Sequence, residues 1–137
     1  MQMYNFPKII HFPKIGSPSL GYISMAENED LSFEVKRIYW TYFTPEEVER
    51  GGHSHINLQQ ILVAVSGVIL VKTEMPSGIQ EEFILNSPDK GIFIPKFCWR
   101  EMKYSHNAVQ MCIASIEYDE TDYIRSYHDF KKITIEG

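Results

Sequence analysis

Cysteine is scarce in this chain. Of its 137 residues only Cys98 and Cys112 carry a thiol, and both sit in apolar stretches. That favours two buried free thiols over a disulfide and points to a reducing, cytoplasmic setting. Long apolar runs are missing too. The longest uninterrupted one, Ile61 to Val65, falls far short of the ~20 residues that cross a bilayer, so no membrane attachment is expected. The opening segment, Met1 to Phe12, is broken by Asn5, Pro7, Lys8 and His11 and reads as no secretory signal. Positive charge is in deficit: 13 Lys and Arg stand against 18 Asp and Glu, a formal net charge of −5. Such a chain has no broad field to draw a nucleic-acid backbone, although a few local arginines can still hold one small anion. Internal repeats and low-complexity stretches are absent as well.

Aromatic residues are plentiful, with eight Tyr and eight Phe, and they suit pleated, half-buried surfaces. The length fits a single domain over residues 1–137, able to bury roughly two-thirds of the surface its unfolded chain exposes. Short β-type runs alternate with turn signals. Strands are expected over Phe33–Thr44, Leu58–Val65, Val68–Thr73, Glu82–Leu85, Gly91–Pro95, Trp99–Lys103 and Val109–Tyr118. Turns are expected at Pro45–Gly52, Ser66-Gly67 and Pro76–Gly78. This spacing predicts an all-β barrel or jelly roll. Tyr123, Tyr127 and Phe130 recur at helical spacing, which predicts a short C-terminal helix over about 122–132, packed on one end of the barrel.

The most informative stretch is Arg50-Gly-Gly-His53-Ser-His55. Histidines at i and i+2 on a strand share one face. Gln60 follows His55 by five residues and Gly67 follows Gln60 by seven, which is the spacing of the first cupin motif over about 47–67. The second motif, over about 89–104, is recognisable in DKGIFIPKFCWR. Its glycine position holds Phe97 and its ligand-histidine position holds Arg100. Gln is a weak neutral ligand, and Arg is a permanent cation with no lone pair to offer. No metal and no other cofactor is therefore expected. Two imidazoles beside an arginine can instead do acid–base chemistry, because the cation disfavours imidazolium and can stabilise an enolate oxygen.

Four stretches in order carry a resemblance: Val35 to Tyr39, Arg50 to His55, Ile94-Pro95 with Trp99 to Met102, and Tyr118-Asp-Glu-Thr-Asp-Tyr-Ile-Arg125. Together they resemble the dTDP-sugar 3,4-ketoisomerases, the WxcM-like group of the cupin superfamily. The resemblance implies a cupin-type jelly roll, a homodimer, no metal, and conversion of a dTDP-4-keto-6-deoxyhexose to its 3-keto isomer. It also implies that His53 and His55 lie beside the sugar, with Tyr39, Arg50 and Arg100 in the same pocket. His55 is favoured as the carbon base and His53 as the group acting on oxygen. Tyr39 would relay a proton or bond the ring oxygens, and Arg100 would stabilise the enediolate. Arg37 and Arg50 are candidates for the diphosphate, while Gln60 and Trp99 are candidate substrate-binding residues. The chain departs from the family pattern at Ser54, usually Ala, at Gln59, often Glu, and at Arg100, a His in some relatives. Ser19 stands where relatives often place Arg or Tyr. Two rival readings are a non-catalytic metal-free cupin that holds a nucleotide sugar and another sugar-nucleotide isomerase or a 3,5-epimerase. A 3,5-epimerase typically carries a His–Asp pair, and none is apparent along the chain.

Overall fold

The computed structural model describes residues 5–27 and 29–133. Its strands are β1 (Lys8–His11), β2 (Lys14–Ser17), β3 (Gly21–Ser24), β4 (Arg37–Tyr42), β5 (Glu49–His55) and β6 (Gln60–Ser66). They continue with β7 (Ile69–Glu74), β8 (Gln80–Leu85), β9 (Lys90–Ile94), β10 (Trp99–Tyr104), β11 (Val109–Ala114) and β12 (Tyr123–Ile124). A 3₁₀ turn spans Glu120–Asp122, and one helix, α1, spans Tyr127–Lys131. The strands form two five-stranded sheets, ordered β1-β9-β6-β11-β4 and β12-β5-β10-β7-β8, with β2 and β3 as a separate hairpin. All pairings are antiparallel. The chain thus has the expected all-β, cupin-like architecture, built as two facing sheets with no hydrogen-bonded ladder joining them among the described residues.

Burial explains the strand sequences. The inner faces supply one core that mixes Leu62, Ile92, Ile94 and Cys112 of the first sheet with Ile69, Val71, Leu85 and Met102 of the second. Strand β6 is also covered from outside, where Phe12, Leu31 and Phe33 pack on Ile61, Val63 and Phe93. A strand buried on both faces reads as a continuous apolar run, which accounts for Ile61–Val65. The edge strand β4 is open on its outer face and alternates strictly, with Arg37, Tyr39 and Thr41 turned inward.

Several expected boundaries are corrected. The run Phe33–Thr44 is strand only from Arg37 to Tyr42, and Phe43 ends it at a left-handed φ of 58°. The polar stretch Glu49–Gly52 is strand rather than turn, and β11 stops at Ala114. The expected helix over 122–132 shortens to α1. Residues 120–122 form the 3₁₀ turn, Tyr123–Ile124 pair with β5, and Ser126 caps the helix by accepting the Asp129 N–H. The helical spacing still locates Tyr127 and Phe130, which pack on Trp99 at ring-centroid distances of 5.3 and 5.5 Å.

Candidate active site

The site begins with a bulge in β5. Arg100 on β10 faces His53, but Glu101 faces Gly51, so Gly52 is an extra residue. Gly51 and Gly52 adopt φ of +85° and +68°, conformations that β-carbons resist. A Cβ on Gly51 would also lie 2.7 Å from the Arg100 carbonyl oxygen. The insertion reverses the inward and outward alternation, so Arg50 pairs with the core residue Met102 and shares the inner face with His53 and His55. Arg50 itself is exposed. The second motif shows the matching device: Phe97, at the motif's glycine position, takes φ 65°, and its N–H donates to the His55 carbonyl at 2.7 Å.

Arg100 is wholly buried. Its Nε and Nη2 donate to the Cys98 carbonyl at 3.1 and 2.9 Å, and its Nη1 donates to Gln60 Oε1. Gln60 Nε2 in turn donates to the Tyr39 hydroxyl at 2.8 Å and to Cys112 Sγ at 3.2 Å. Among the described residues no carboxylate pairs with this guanidinium. Burial pushes the Arg100 pKa down and the Tyr39 phenol up. Arg37 lies over the Tyr39 ring at 4.9 Å and near Tyr118 at 5.8 Å. A chain that is acidic overall therefore holds Arg50 and Arg100 on the inner face of the second sheet and Arg37 on that of the first.

His53 and His55 meet edge to face with centroids 4.7 Å apart. Tyr123 packs on both rings, at 5.0 and 4.3 Å, and stacks beneath Arg125 at 4.0 Å. Arg125 is paired with Glu120, which also accepts from the Tyr118 hydroxyl. A His–Asp pair does exist, contrary to the sequence reading: His55 Nδ1 lies 3.2 Å from Asp122 Oδ2, with both side chains buried. The two residues are 67 apart in the chain, and the pairing of β12 with β5, with hydrogen bonds from Ile56, Asn57 and Leu58 to Asp122, brings them together. Tyr123 and Asp122 were missed as site residues because the helical spacing claimed them. Their signal was the distinctive tract Tyr118 to Arg125.

Trp99 is the other correction. It lies opposite Glu74 on the outer face of the second sheet, one residue out of phase with Arg100, so the structure does not bring it to the histidines. It borders an outer groove of about 600 Å³ lined by Glu74, Glu81, Glu82 and Glu101. Those carboxylates make the groove a poor host for a diphosphate. Ser19 sits exposed in the turn joining β2 and β3.

Burial, then Arg100, lowers the pKa of His53 to about 3. For His55 burial, followed by Arg100, His53 and Arg37, drives it further down. Both rings are therefore neutral near pH 7 and able to accept a proton. His55 Nε2 and Arg37 Nε are buried without hydrogen-bond partners, two polar atoms suited to a polar ligand. The donor set does not fit a divalent metal. Gln60 Oε1 is engaged by Arg100, and a guanidinium occupies the ligand-histidine position, where it would repel a dication.

Comparison with known proteins agrees with this geometry. A family model described as FdtA, WxcM-like, C-terminal, matches residues 5–135. A TDP-4-oxo-6-deoxy-α-D-glucose-3,4-oxoisomerase from Aneurinibacillus thermoaerophilus is 39% identical over 126 residues, covering 91% of this chain and 90% of that protein. The WlaRB TDP-quinovose 3,4-ketoisomerase from Campylobacter jejuni superposes with a TM-score of 0.87 at 35% identity, over 95% of this chain and 100% of that one. The sugar 3,4-ketoisomerase QdtA from Thermoanaerobacterium thermosaccharolyticum, solved with TDP, gives 0.86 at 32% identity over 94% of each chain. A variant of QdtA was solved with TDP-4-keto-6-deoxyglucose.

Proposed function

Because the chain belongs to the FdtA family of WxcM-like C-terminal domains, we propose that it is a 3,4-ketoisomerase acting on a dTDP-linked 4-keto-6-deoxyhexose without a metal. The observation that carries the reading is the joint presence, on one inner face, of two neutral imidazoles and a buried guanidinium with no carboxylate partner.

The C4 ketone acidifies the C3 proton. His55 takes that proton, and the electron pair forms the C3–C4 double bond while charge moves to O4. Arg100, desolvated and uncompensated, stabilises the resulting enediolate. The O3 proton leaves as C3 becomes the ketone, O4 ends as a hydroxyl, and a proton is delivered to C4, so no atom is gained or lost. His53, beside His55, moves the oxygen-bound protons, and the Tyr39 hydroxyl extends the relay. Gln60 holds Arg100 and Tyr39 in register. Arg37 and Arg50 receive the diphosphate, for which a planar guanidinium offers paired donors.

The His55–Asp122 pair is also a feature expected of a 3,5-epimerase. That reading predicts exchange at C5, which 3,4-isomerisation does not involve.

A homodimer in the cytoplasm completes the proposal. The β2–β3 hairpin exposes Ile15, Leu20 and Ile23, and the outer face of β4 exposes Ile38, Trp40 and Tyr42. Two such apolar surfaces on one small chain suit burial against a second copy. The two cysteines are free and buried, as suits a reducing compartment. Incubation with TDP-4-keto-6-deoxyglucose should yield the 3-keto isomer by NMR, and light scattering should give twice the 16.0 kDa chain mass. Binding of the sugar nucleotide without turnover would instead support the non-catalytic reading.

A further inference from the structure

We propose that Asp122 is the positioning residue of the site, holding His55 as the Nδ1–H tautomer and leaving the Nε2 lone pair free as a proton acceptor. The placement of the carboxylate is over-determined. Asp119 caps the 3₁₀ turn by accepting from the Thr121 N–H at 3.0 Å and its hydroxyl at 2.6 Å. The Asp122 carbonyl accepts the Ile56 N–H at 3.0 Å, and Tyr123–Ile124 then pair with His55–Ser54. Asp122 Oδ1 accepts the Asn57 N–H at 2.8 Å, and Oδ2 accepts the Leu58 N–H at 3.1 Å. Those two bonds would serve a loop cap alone. The contact of Oδ2 with His55 Nδ1 adds nothing to a loop cap, yet it decides the chemistry of the ring.

Both Asp122 oxygens already act as acceptors, from the Asn57 and Leu58 N–H groups, so in this third contact the imidazole Nδ1–H is the donor. A neutral imidazole carries one proton. With that proton on Nδ1, Nε2 is an acceptor, and Nε2 is the nitrogen left buried without a partner. When Nε2 takes a proton, the imidazolium formed faces the Asp122 carboxylate, which offsets part of its burial and the repulsion from Arg100, Arg37 and Arg125. His53 has no carboxylate within hydrogen-bond distance among the described residues and feels the charge of Glu120 from further away, so the two histidines are not equivalent.

The inference rests on the isomerase reading for what the base does, but the tautomer can be measured without turnover. In ¹⁵N-histidine-labelled protein at pH 7.5, two-bond ¹H–¹⁵N NMR should show His55 protonated on Nδ1 and bare on Nε2. Asp122→Asn should populate the Nε2–H form and lower kcat by roughly 10²-fold or more, as expected when a dyad carboxylate becomes an amide. TDP affinity should stay within about threefold by calorimetry, since Asp122 is assigned no contact with the nucleotide. A wild-type His55 protonated on Nε2, or an Asp122→Asn protein with near-normal kcat, would overturn the assignment. If Asp122→Asn does not fold, the wild-type spectrum decides alone. If the wild-type protein turns over no TDP-keto sugar, the isomerase reading fails while the spectrum still judges Asp122.

Discussion

Gln60→Glu gives Arg100 the counter-charge it lacks, and stability and activity should then move in opposite directions. Arg100 is fully buried, and its Nη1 already bonds Gln60 Oε1, so a carboxylate there meets the guanidinium in place, while the two acceptors of Gln60 Nε2, the Tyr39 hydroxyl and Cys112 Sγ, must turn to donate. At a charge-assisted separation of about 2.8 Å and an effective dielectric of about 20, the attraction is about 6 kcal/mol. Desolvating the carboxylate removes several kcal/mol of that, leaving a gain of about 1–3 kcal/mol. At this chain length each kcal/mol corresponds to a Tm change of about 4 °C, so Tm should rise by about 4–12 °C in differential scanning fluorimetry. The Tyr39 hydroxyl, which accepts from Gln60 Nε2, can rotate to donate to the new carboxylate. The guanidinium would no longer be an uncompensated cation facing the enediolate, so kcat should fall by roughly 10²–10³-fold, the range for removing one such donor. TDP affinity, assigned to Arg37 and Arg50, should change far less. A raised Tm with kcat intact would mean that the Arg100 charge plays no part in the transition state. A Tm lowered by several degrees would mean that the guanidinium is not uncompensated.

His55→Asn should abolish solvent deuterium incorporation at C3, with a loss of roughly 10²-fold or more; His53→Asn should be slow while leaving measurable exchange at C3, and near-normal turnover in both would refute the acid–base assignment. His53 and His55 have folded pKa values far below the ordinary 6.5, so the unfolded state binds more protons below that pH. Stability is then fully present above pH 6.5 and lost as pH falls toward 3, by at most about 1.4 kcal/mol per pH unit for each ring; chemical denaturation at pH 7 and pH 5 should show this fall, reduced in the His53→Asn variant. Ser54 Oγ is buried without a partner, so Ser54→Ala should raise Tm by about 4 °C, following the ~1 kcal/mol released when an unsatisfied hydroxyl is removed; a lower Tm would show that the hydroxyl is satisfied. Chelator treatment should leave turnover unchanged, and loss of activity restored by added metal would overturn the reading of the donor set.

What could be read from the sequence was whatever local periodicity and motif spacing encode. The shared face of His53 and His55, the inward Tyr39, and the replacement of a metal ligand by Arg100 follow from alternation along single strands and from the cupin spacing. The buried run Ile61–Val65 marked the strand covered on both faces. The misses arise where tertiary pairing overrides local pattern. Asp122 and Tyr123 lie at helical spacing with Tyr127 and Phe130, yet hydrogen bonds from Ile56, Asn57 and Leu58 pull them onto β5, and helix starts only at the Ser126 cap. The same long-range pairing creates the His55–Asp122 contact, which no spacing along the chain could announce. Arg50 reaches the inner face through the extra residue Gly52, whereas Trp99 obeys simple alternation and is turned outward by its neighbour Arg100. The β2–β3 hairpin was not expected, because glycine, serine and proline interrupt its apolar residues, Ile15, Leu20, Tyr22 and Ile23, and leave no alternation to read.

The central claim, a 3,4-isomerisation through an enediolate at the histidine pair, is tested most directly by where deuterium enters the sugar. TDP-4-keto-6-deoxyglucose incubated with the protein in deuterated water and followed by NMR should give the 3-keto isomer with deuterium at C4, and recovered substrate with deuterium at C3. Deuterium entering at C5, or a sugar that binds and returns unlabelled and unisomerised, would contradict it.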